Sequence, residues 1–171
     1  LQMEETGDPA VRKKLESATG RIRAMTVLYD QLYQTGSHDD AISLREYLPH
    51  LVESVTTSSS VAAGTEIDVE DVAVSLRTAS NVGLIVNELI TNAIKHAFPD
   101  GKEGALAVTA ARQSDNLLCV TVADNGPGFS PDQVSRGLGI QIVEALASQL
   151  EGRFTVDTDN GAVCMLEFSL S

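Results

Sequence analysis

The sequence predicts an α+β protein in which a helical hairpin precedes a two-layer α/β sandwich with a mixed, largely antiparallel sheet. Two observations predict this class. Apolar residues recur at helical spacing before residue 58 and at alternating spacing after residue 64. The strand-like runs of the second part are mostly joined in pairs by short polar turns, which is typical of hairpins, whereas a doubly wound parallel sheet needs helical crossovers between its strands.

The composition limits the functions that the chain can have. Its 171 residues, 43% of them hydrophobic, suffice for a packed core, and charged residues leave no apolar stretch of the ~20 residues that a membrane span needs. The net charge of −12 disfavours nonspecific nucleic-acid binding, which requires a basic surface. An anionic ligand would need concentrated donors or a divalent metal to offset this charge. With no leader sequence, we expect a cytoplasmic protein that contacts neither nucleic acid nor membrane.

The first element is a long helix with a heptad pattern. Asp8 and Pro9 are typical of a helix start, and Gly36 is typical of a residue just beyond a helix end. Between them, apolar residues alternate in steps of three and four, which predicts a seam that packs against a partner helix. We therefore expect a homodimer through the helix of residues 9–35. The heptad seam consists of Val11, Leu15, Ala18, Ile22, Met25, Tyr29 and Leu32.

A second helix and a domain boundary follow. Ser43 and Glu46 form a capping-box pattern, which predicts the start of a helix. The small, polar stretch Ser58–Gly64 is the best candidate for a linker. We therefore expect a helical hairpin at residues 1–62 and a second domain at residues 63–171.

The second domain reads as alternating strands and helices. Cys119 and Cys164 lie in its apolar runs without the clustered histidines of a zinc site, so we expect buried, reduced thiols. The predicted elements are one or two strands over Ile67–Leu76, a helix over Ser80–Ala97, a hairpin of Leu106–Arg112 and Leu117–Asp124, a helix over Gly139–Leu150 that Gly152 ends, and a hairpin of Phe154–Thr158 and Val163–Leu170.

The run Asn87–Ala97 places polar residues on one side of a helix. At about 100° per residue, Glu88, Asn92, Lys95 and His96 share one face, while apolar residues share the other. A carboxylate, an amide oxygen and two cationic groups can hold an oxygen-coordinated cation together with phosphates. The alternative is an amphipathic helix whose polar face is merely solvated.

Two glycine-containing motifs follow. Asp124-Asn125-Gly126-Pro127-Gly128 ends a strand, where a carboxylate can accept a hydrogen bond from a ligand amino group and the glycines leave the backbone uncovered. Gly137-Leu138-Gly139 opens a helix, whose N–H groups can face phosphate. The alternatives are a simple turn for the first motif and a flexible helix entry for the second.

Together and in this order, the three motifs resemble the Bergerat-type ATP-binding fold that sensor histidine kinases share with gyrase-type topoisomerases, heat-shock chaperone ATPases and mismatch-repair ATPases. The resemblance covers Ile67–Ser171, with Asn87–Ala97 as the N box and the two glycine motifs as the G boxes. The sequences of Arg21–Met25 and Gly83–Phe98 resemble those of bacterial histidine kinases close to the HWE class.

The resemblance implies ATP and Mg²⁺ as ligands and a role for each motif residue. Asn92 would ligate Mg²⁺, and Glu88 would orient the nucleophile or a metal-bound water. Asp124 would accept a hydrogen bond from the adenine amino group. The other implied contacts are Gly126 and Gly128 with the base, and Lys95, His96, Arg136, Gly137, Leu138 and Gly139 with the phosphates.

The resemblance also implies the reaction. Residues 1–62 would belong to a dimerisation and phosphotransfer hairpin behind an upstream sensor domain, and residues 63–171 would transfer the γ-phosphoryl group of Mg-ATP to a histidine. That histidine is expected before Leu1, since neither His38 nor His50 has the flanking pattern of a phosphoacceptor. The receiver domain of a response regulator would take the group next. The alternatives are an anti-sigma-type serine kinase of the same fold and a noncatalytic docking scaffold with a degenerate ATP domain.

Overall fold

A computed structural model describes residues 9–35, 41–57, 63–98, 104–128, 138–158 and 161–170. The helices are α1 (Pro9–Thr35), α2 (Leu44–Thr57), α3 (Leu76–His96) and α4 (Leu138–Gln149). The strands are β1 (Ala41–Ser43), β2 (Ala63–Val69), β3 (Ala73–Ser75), β4 (Gly104–Ser114), β5 (Leu117–Asp124), β6 (Arg153–Asp157) and β7 (Ala162–Ser169). None of the described helices is both long enough and apolar enough to cross a membrane.

The main sheet has five strands in the order β2-β4-β5-β7-β6. The β2–β4 pair is parallel, and the other three pairs are antiparallel. The β4–β5 and β6–β7 pairs are the two hairpins that the turn signals predict. This topology confirms the predicted α+β class with a mixed, largely antiparallel sheet.

The helices cover one face of this sheet. Burial alternates along β7, as expected of a strand with one covered face. The middle of α3 is enclosed on all sides, because every residue from 81 to 90 is buried. Helix α3 therefore lies between the sheet and the two helices of the N-terminal part.

The structure differs from the prediction at several element ends and in one additional strand; β4, for example, spans Gly104–Ser114 rather than Leu106–Arg112. Helix α3 begins at Leu76 rather than at Ser80, because the hydroxyl of Ser75 accepts a hydrogen bond from the Thr78 N–H at 3.2 Å and caps the helix. Strand β2 begins at Ala63, so Gly64 belongs to a strand and not to the predicted linker, whose residues 58–62 lie outside the described ranges. Strand β1 was not predicted, because three residues are too few to show an alternating pattern.

The structure contains hydrogen bonds at the predicted start of α2 and at the predicted end of α4. Ser43 precedes α2, and its hydroxyl accepts a hydrogen bond from the Glu46 N–H at 3.4 Å. After α4, the left-handed residue is Glu151, with φ of 51°, and the Gly152 N–H donates to the Ala147 carbonyl at 2.9 Å. A side chain at Gly152 would be 2.7 Å from the Glu167 carbonyl, so glycine is needed there for the approach of β7.

Helix α1 has two apolar faces. Ala24 and Leu28 are buried in the core shared with α2 and α3. The heptad seam instead faces solvent in the single chain, with Ile22, Met25 and Tyr29 exposed at 66%, 53% and 57%. The side chain of Leu32 lies outside the described part of the chain. The seam is therefore available to a partner outside this chain.

Helix α2 packs directly on α3 through Tyr47. The hydroxyl of Tyr47 is buried and donates a hydrogen bond to the Ala24 carbonyl of α1 at 3.3 Å. Burial raises the pKa of Tyr47 well above its usual value. Gly83 of α3 lies against the phenol ring, so the absence of a side chain at this position allows the close contact.

We predict that Gly83→Ala destabilises the fold by ~1–3 kcal/mol, because the added methyl group overlaps the Tyr47 phenol. In an unobstructed helix interior the same change stabilises by up to ~1 kcal/mol, so the sign of the effect is diagnostic. Urea unfolding would measure it, with Ser80→Ala as a small change on the same helix. A free energy of unfolding equal to or above that of the unaltered chain would contradict the packing of α2 on α3.

Candidate functional site

The C-terminal half of α3 bears the polar row. Glu88 is buried, with 3% of its surface exposed, Asn92 is half-buried one turn later, and Lys95 and His96 are exposed in the last turn. The two cationic residue types at the end of the helix suit the negative end of its dipole. Exposure of the polar side chains therefore increases from Glu88 to His96, as expected of a site that encloses one end of a ligand.

The start of α4 lies against this row. A Cβ atom on Gly139 would be 3.1 Å from the Glu88 Oε2 atom and 3.4 Å from the Asn92 Nδ2 atom. A larger residue at position 139 would occupy the space in front of both side chains. The structure thus brings the third sequence motif together with the first.

Asp124 ends β5, and hydrogen bonds fix one of its carboxylate oxygens. The Oδ1 atom accepts from the Gly126 N–H at 2.9 Å and from the Ala162 N–H at 3.3 Å. Neither bond uses Oδ2. The carboxylate is therefore oriented by the loop after β5 and by β7, as a rigid hydrogen-bond acceptor for a ligand requires.

The loop after β5 is pinned at several points. The Asn125 Oδ1 atom accepts from the Ala105 N–H at 2.7 Å, which anchors the loop to β4. Gly126 lies against Ala97 at the end of α3, where a side chain would overlap. Gly128 has φ of 68°, a conformation that favours glycine. The D-N-G-P-G segment therefore packs, through Gly126, against the end of the helix that bears the polar row.

Both cysteines are free and buried, as predicted. Burial first, and the nearby charge of Asp124 second, raise the pKa of the Cys164 thiol to about 12. This thiol remains protonated at neutral pH, so it is not a nucleophile for the site.

Some predicted residues lie at the edge of the described structure or beyond it. Leu138 is 48% exposed as the first residue of α4. Arg136 and Gly137, and the short segment between the two G boxes, lie outside the described residues.

Sequence reasoning missed one contributor, Arg21 of α1. Its Nε atom lies 3.8 Å from the Glu88 Oε1 atom, and its side chain is 33% exposed. The preceding Gly20 was the available signal, since a glycine inside a helix indicates a close approach. The sequence alone does not show which helix approaches.

The donor set fits a hard cation accompanied by phosphates. Asn92 offers an amide oxygen, Glu88 a carboxylate, and Gly139 leaves room in front of both. Within the described ranges, no three His, Cys, Asp or Glu side chains form a metal cluster, so a cation here would depend on ligand oxygens as well. A separate cleft of about 490 Å³ borders Asp124 and Asn125, but its lining comes from β2, β4 and the end of β5 and does not include Glu88, Asn92 or Gly139.

Comparison with known proteins agrees with this geometry. Residues 78–171 match the family described as "Histidine kinase-, DNA gyrase B-, and HSP90-like ATPase", and residues 1–59 match the family described as "Histidine kinase". Blue-light-activated histidine kinase 2 of Erythrobacter litoralis is 28% identical in an alignment of length 179, which covers 100% of this chain and 51% of the relative. The sensor histidine kinase PdtaS of Mycobacterium tuberculosis is 32% identical over 160 residues, which cover 89% of this chain and 31% of the relative.

The structural comparison gives the same result. The histidine kinase domain of a blue-light activated histidine kinase from Erythrobacter litoralis matches with a TM-score of 0.81 at 28% identity, over 90% of this chain and 75% of that chain. The present chain spans about half or less of the length of the two curated relatives. Since the match over residues 78–171 covers more than half of the chain, the protein belongs to the family of histidine kinase-, DNA gyrase B- and HSP90-like ATPases, and its first 59 residues match the histidine kinase family.

Proposed function

We propose that this chain is the ATP-binding catalytic core of a sensor histidine kinase that acts in the bacterial cytoplasm. It binds Mg-ATP between the polar row of α3, the end of β5 and the start of α4. The γ-phosphoryl group passes to a histidine on a preceding segment and then to an aspartate in the receiver domain of a response regulator. The observation that carries this proposal is the contact of Gly139 with Glu88 and Asn92, which joins two separate motifs in one site.

At the base end of the site, Asp124 recognises adenine. Its Oδ1 atom is already used by the Gly126 and Ala162 N–H groups, so Oδ2 accepts from the adenine amino group. Gly126 and Gly128 shape the base pocket by setting the path of the loop after β5. A carboxylate is suited to the end of β5 because one of its two acceptor oxygens bonds the backbone and the other bonds the base.

At the phosphate end, positioning and charge neutralisation are the main tasks of the protein. Mg²⁺ supplies positive charge against the net charge of −12, and the Asn92 amide oxygen is its protein ligand. Glu88 orients the attacking nucleophile or a metal-bound water. The remaining phosphate contacts come from Lys95, His96, Arg136, Gly137, Leu138 and Gly139, at the end of α3 and around the start of α4.

The same proposal covers the organisation of the chain. Residues 1–62 form a helical dimerisation and phosphotransfer hairpin, and residues 63–171 form the ATP-binding domain. The exposed heptad seam and the histidine kinase match over residues 1–59 favour this reading over an anti-sigma-type serine kinase, which needs no such hairpin. An upstream sensor domain would control the hairpin in the full-length protein.

We predict that Asp124→Asn weakens ATP binding about 10–100-fold. The asparagine keeps one acceptor oxygen for the Gly126 and Ala162 N–H groups, so the fold is retained, but its NH₂ group opposes the adenine amino group. Titration calorimetry in Mg²⁺ measures the affinity. Asp115→Asn, in the exposed β4–β5 turn, is the matched control.

Equal ATP affinity in Asp124→Asn and the unaltered chain would exclude Asp124 as the adenine acceptor. Absence of ATP binding by the unaltered chain would favour the noncatalytic docking scaffold instead.

We predict that Ile22→Glu converts a dimer into a folded monomer. Ile22 is 66% exposed in the single chain, so a charge there disturbs only the contact between chains. Light scattering measures the mass, and Ile22→Leu, which keeps the seam apolar, should remain dimeric. A monomeric mass for the unaltered chain would contradict dimerisation through residues 9–35.

A further inference from the structure

The carboxylate of Glu88 lies between two elements that reach α3 from different sides. Its Oε1 atom is 3.8 Å from the Arg21 Nε atom of α1. Its Oε2 atom would be 3.1 Å from a Cβ atom if residue 139, at the start of α4, had a side chain. One side chain is thus in contact with the N-terminal helix and with the proposed nucleotide site at the same time.

The Arg21–Glu88 pair has an asymmetric environment. The Glu88 side chain is 4% exposed, whereas the Arg21 side chain is 33% exposed. A buried carboxylate is strongly stabilised by a nearby cation, while a partly exposed guanidinium can return to water at little cost. The distance of 3.8 Å between Arg21 Nε and Glu88 Oε1 is that of an ion pair. If α1 moves away, the guanidinium returns to water and the buried carboxylate needs another cation in its place.

The interface between α1 and α3 also contains an unsatisfied polar group. Asn87 is 1% exposed, and its Oδ1 atom has no hydrogen-bond partner among the described residues. Gly20 of α1 lies so close that a Cβ there would be 2.8 Å from the Asn87 Nδ2 atom. An unsatisfied buried amide destabilises the docked arrangement, and water would satisfy it when α1 moves away. The contact is close, and within it the Arg21–Glu88 ion pair favours docking whereas the unsatisfied Asn87 amide favours separation.

We propose that Arg21 is a positioning residue for the nucleotide site: its ion pair holds the Glu88 carboxylate toward α1, so that displacement of α1 on α3 releases Glu88 toward the metal-bound phosphates. This inference rests on the proposed function, because it assigns a control to the same site. It connects the helix that bears the exposed seam with the residue that orients the reacting group. Arg21 itself touches neither nucleotide nor metal.

Loss of the guanidinium has a defined electrostatic consequence. Without this positive charge beside it, the Glu88 carboxylate attracts a divalent cation more strongly and repels the phosphates of metal-free ATP more strongly. The ratio of ATP affinity with Mg²⁺ to ATP affinity without Mg²⁺ should therefore rise. With unit charges separated by several ångströms in a partly buried site, we expect a rise of about tenfold.

A double-mutant cycle tests this inference. Titration calorimetry with ATP, in Mg²⁺ and in EDTA, compares the unaltered chain with Arg21→Gln, which keeps most of the side-chain length and packing. Arg21→Lys retains the positive charge and should restore a ratio near that of the unaltered chain. In the Glu88→Gln background, Arg21→Gln should change the ratio less than about twofold, because the residue acts through Glu88.

A second readout uses the chain without nucleotide. Hydrogen exchange of the α1 amides should be faster in Arg21→Gln and in Glu88→Gln alike, since either substitution removes the ion pair. Melting temperatures confirm that each variant is folded.

Three results would overturn the inference. An unchanged affinity ratio in Arg21→Gln would exclude a role for Arg21, and equal changes in the two Glu88 backgrounds would show a simple long-range charge effect. Unchanged exchange of α1 in both single variants would show that the ion pair does not hold the helix. Failure of the unaltered chain to bind ATP would contradict the proposed function itself, which separates the two claims.

Discussion

The enclosure of α3 is the constraint on which the rest of the structure depends. The sheet packs on one side of this helix and α1 and α2 pack on the other, so residues 81–90 are all buried. Among the described residues, the buried polar ones are Asn81, Asn87 and Glu88, all on α3. Because burying a carboxylate without a partner is costly, the position of Glu88 is tied to Arg21. The packing of the core around α3 therefore also determines the position of Glu88.

The other motifs are placed relative to this helix by close backbone contacts. Gly139 approaches from α4 and Gly126 approaches from the loop after β5, and a side chain at either position would enter the space of α3 or its neighbours. Asp124 is held by β7 as well as by its own turn. Packing of α4, of the loop after β5 and of β7 around α3 leaves the proposed ligand-binding groups little freedom, as transition-state stabilisation by preorganised groups requires.

Much of this arrangement follows from sequence because it rests on local patterns. The alternation in β7, the β4–β5 turn and the amphipathic period of α3 predict the fold, and the resemblance of the three ordered motifs to an ATP-binding fold implies that Asn92 and Gly139 belong to one site. The Arg21–Glu88 pair could not be predicted from the sequence, because it joins residues far apart in the chain and depends on how two helices dock. The heptad pattern correctly marked an apolar face of α1, but the face packed within the chain is the adjacent one of Ala24 and Leu28. Local periodicity identifies a face and does not identify its partner.

The central claim is that one helix supplies both the core of the domain and the Mg²⁺ contact of the nucleotide site. The most direct measurement is titration calorimetry of ATP, in Mg²⁺ and in EDTA, on the unaltered chain and on Asn92→Ala. Asn92 is only half-buried, so the variant should melt near the temperature of the unaltered chain and lose the Mg²⁺-dependent part of its ATP affinity. Unchanged Mg²⁺-dependent binding in the folded variant would contradict the claim.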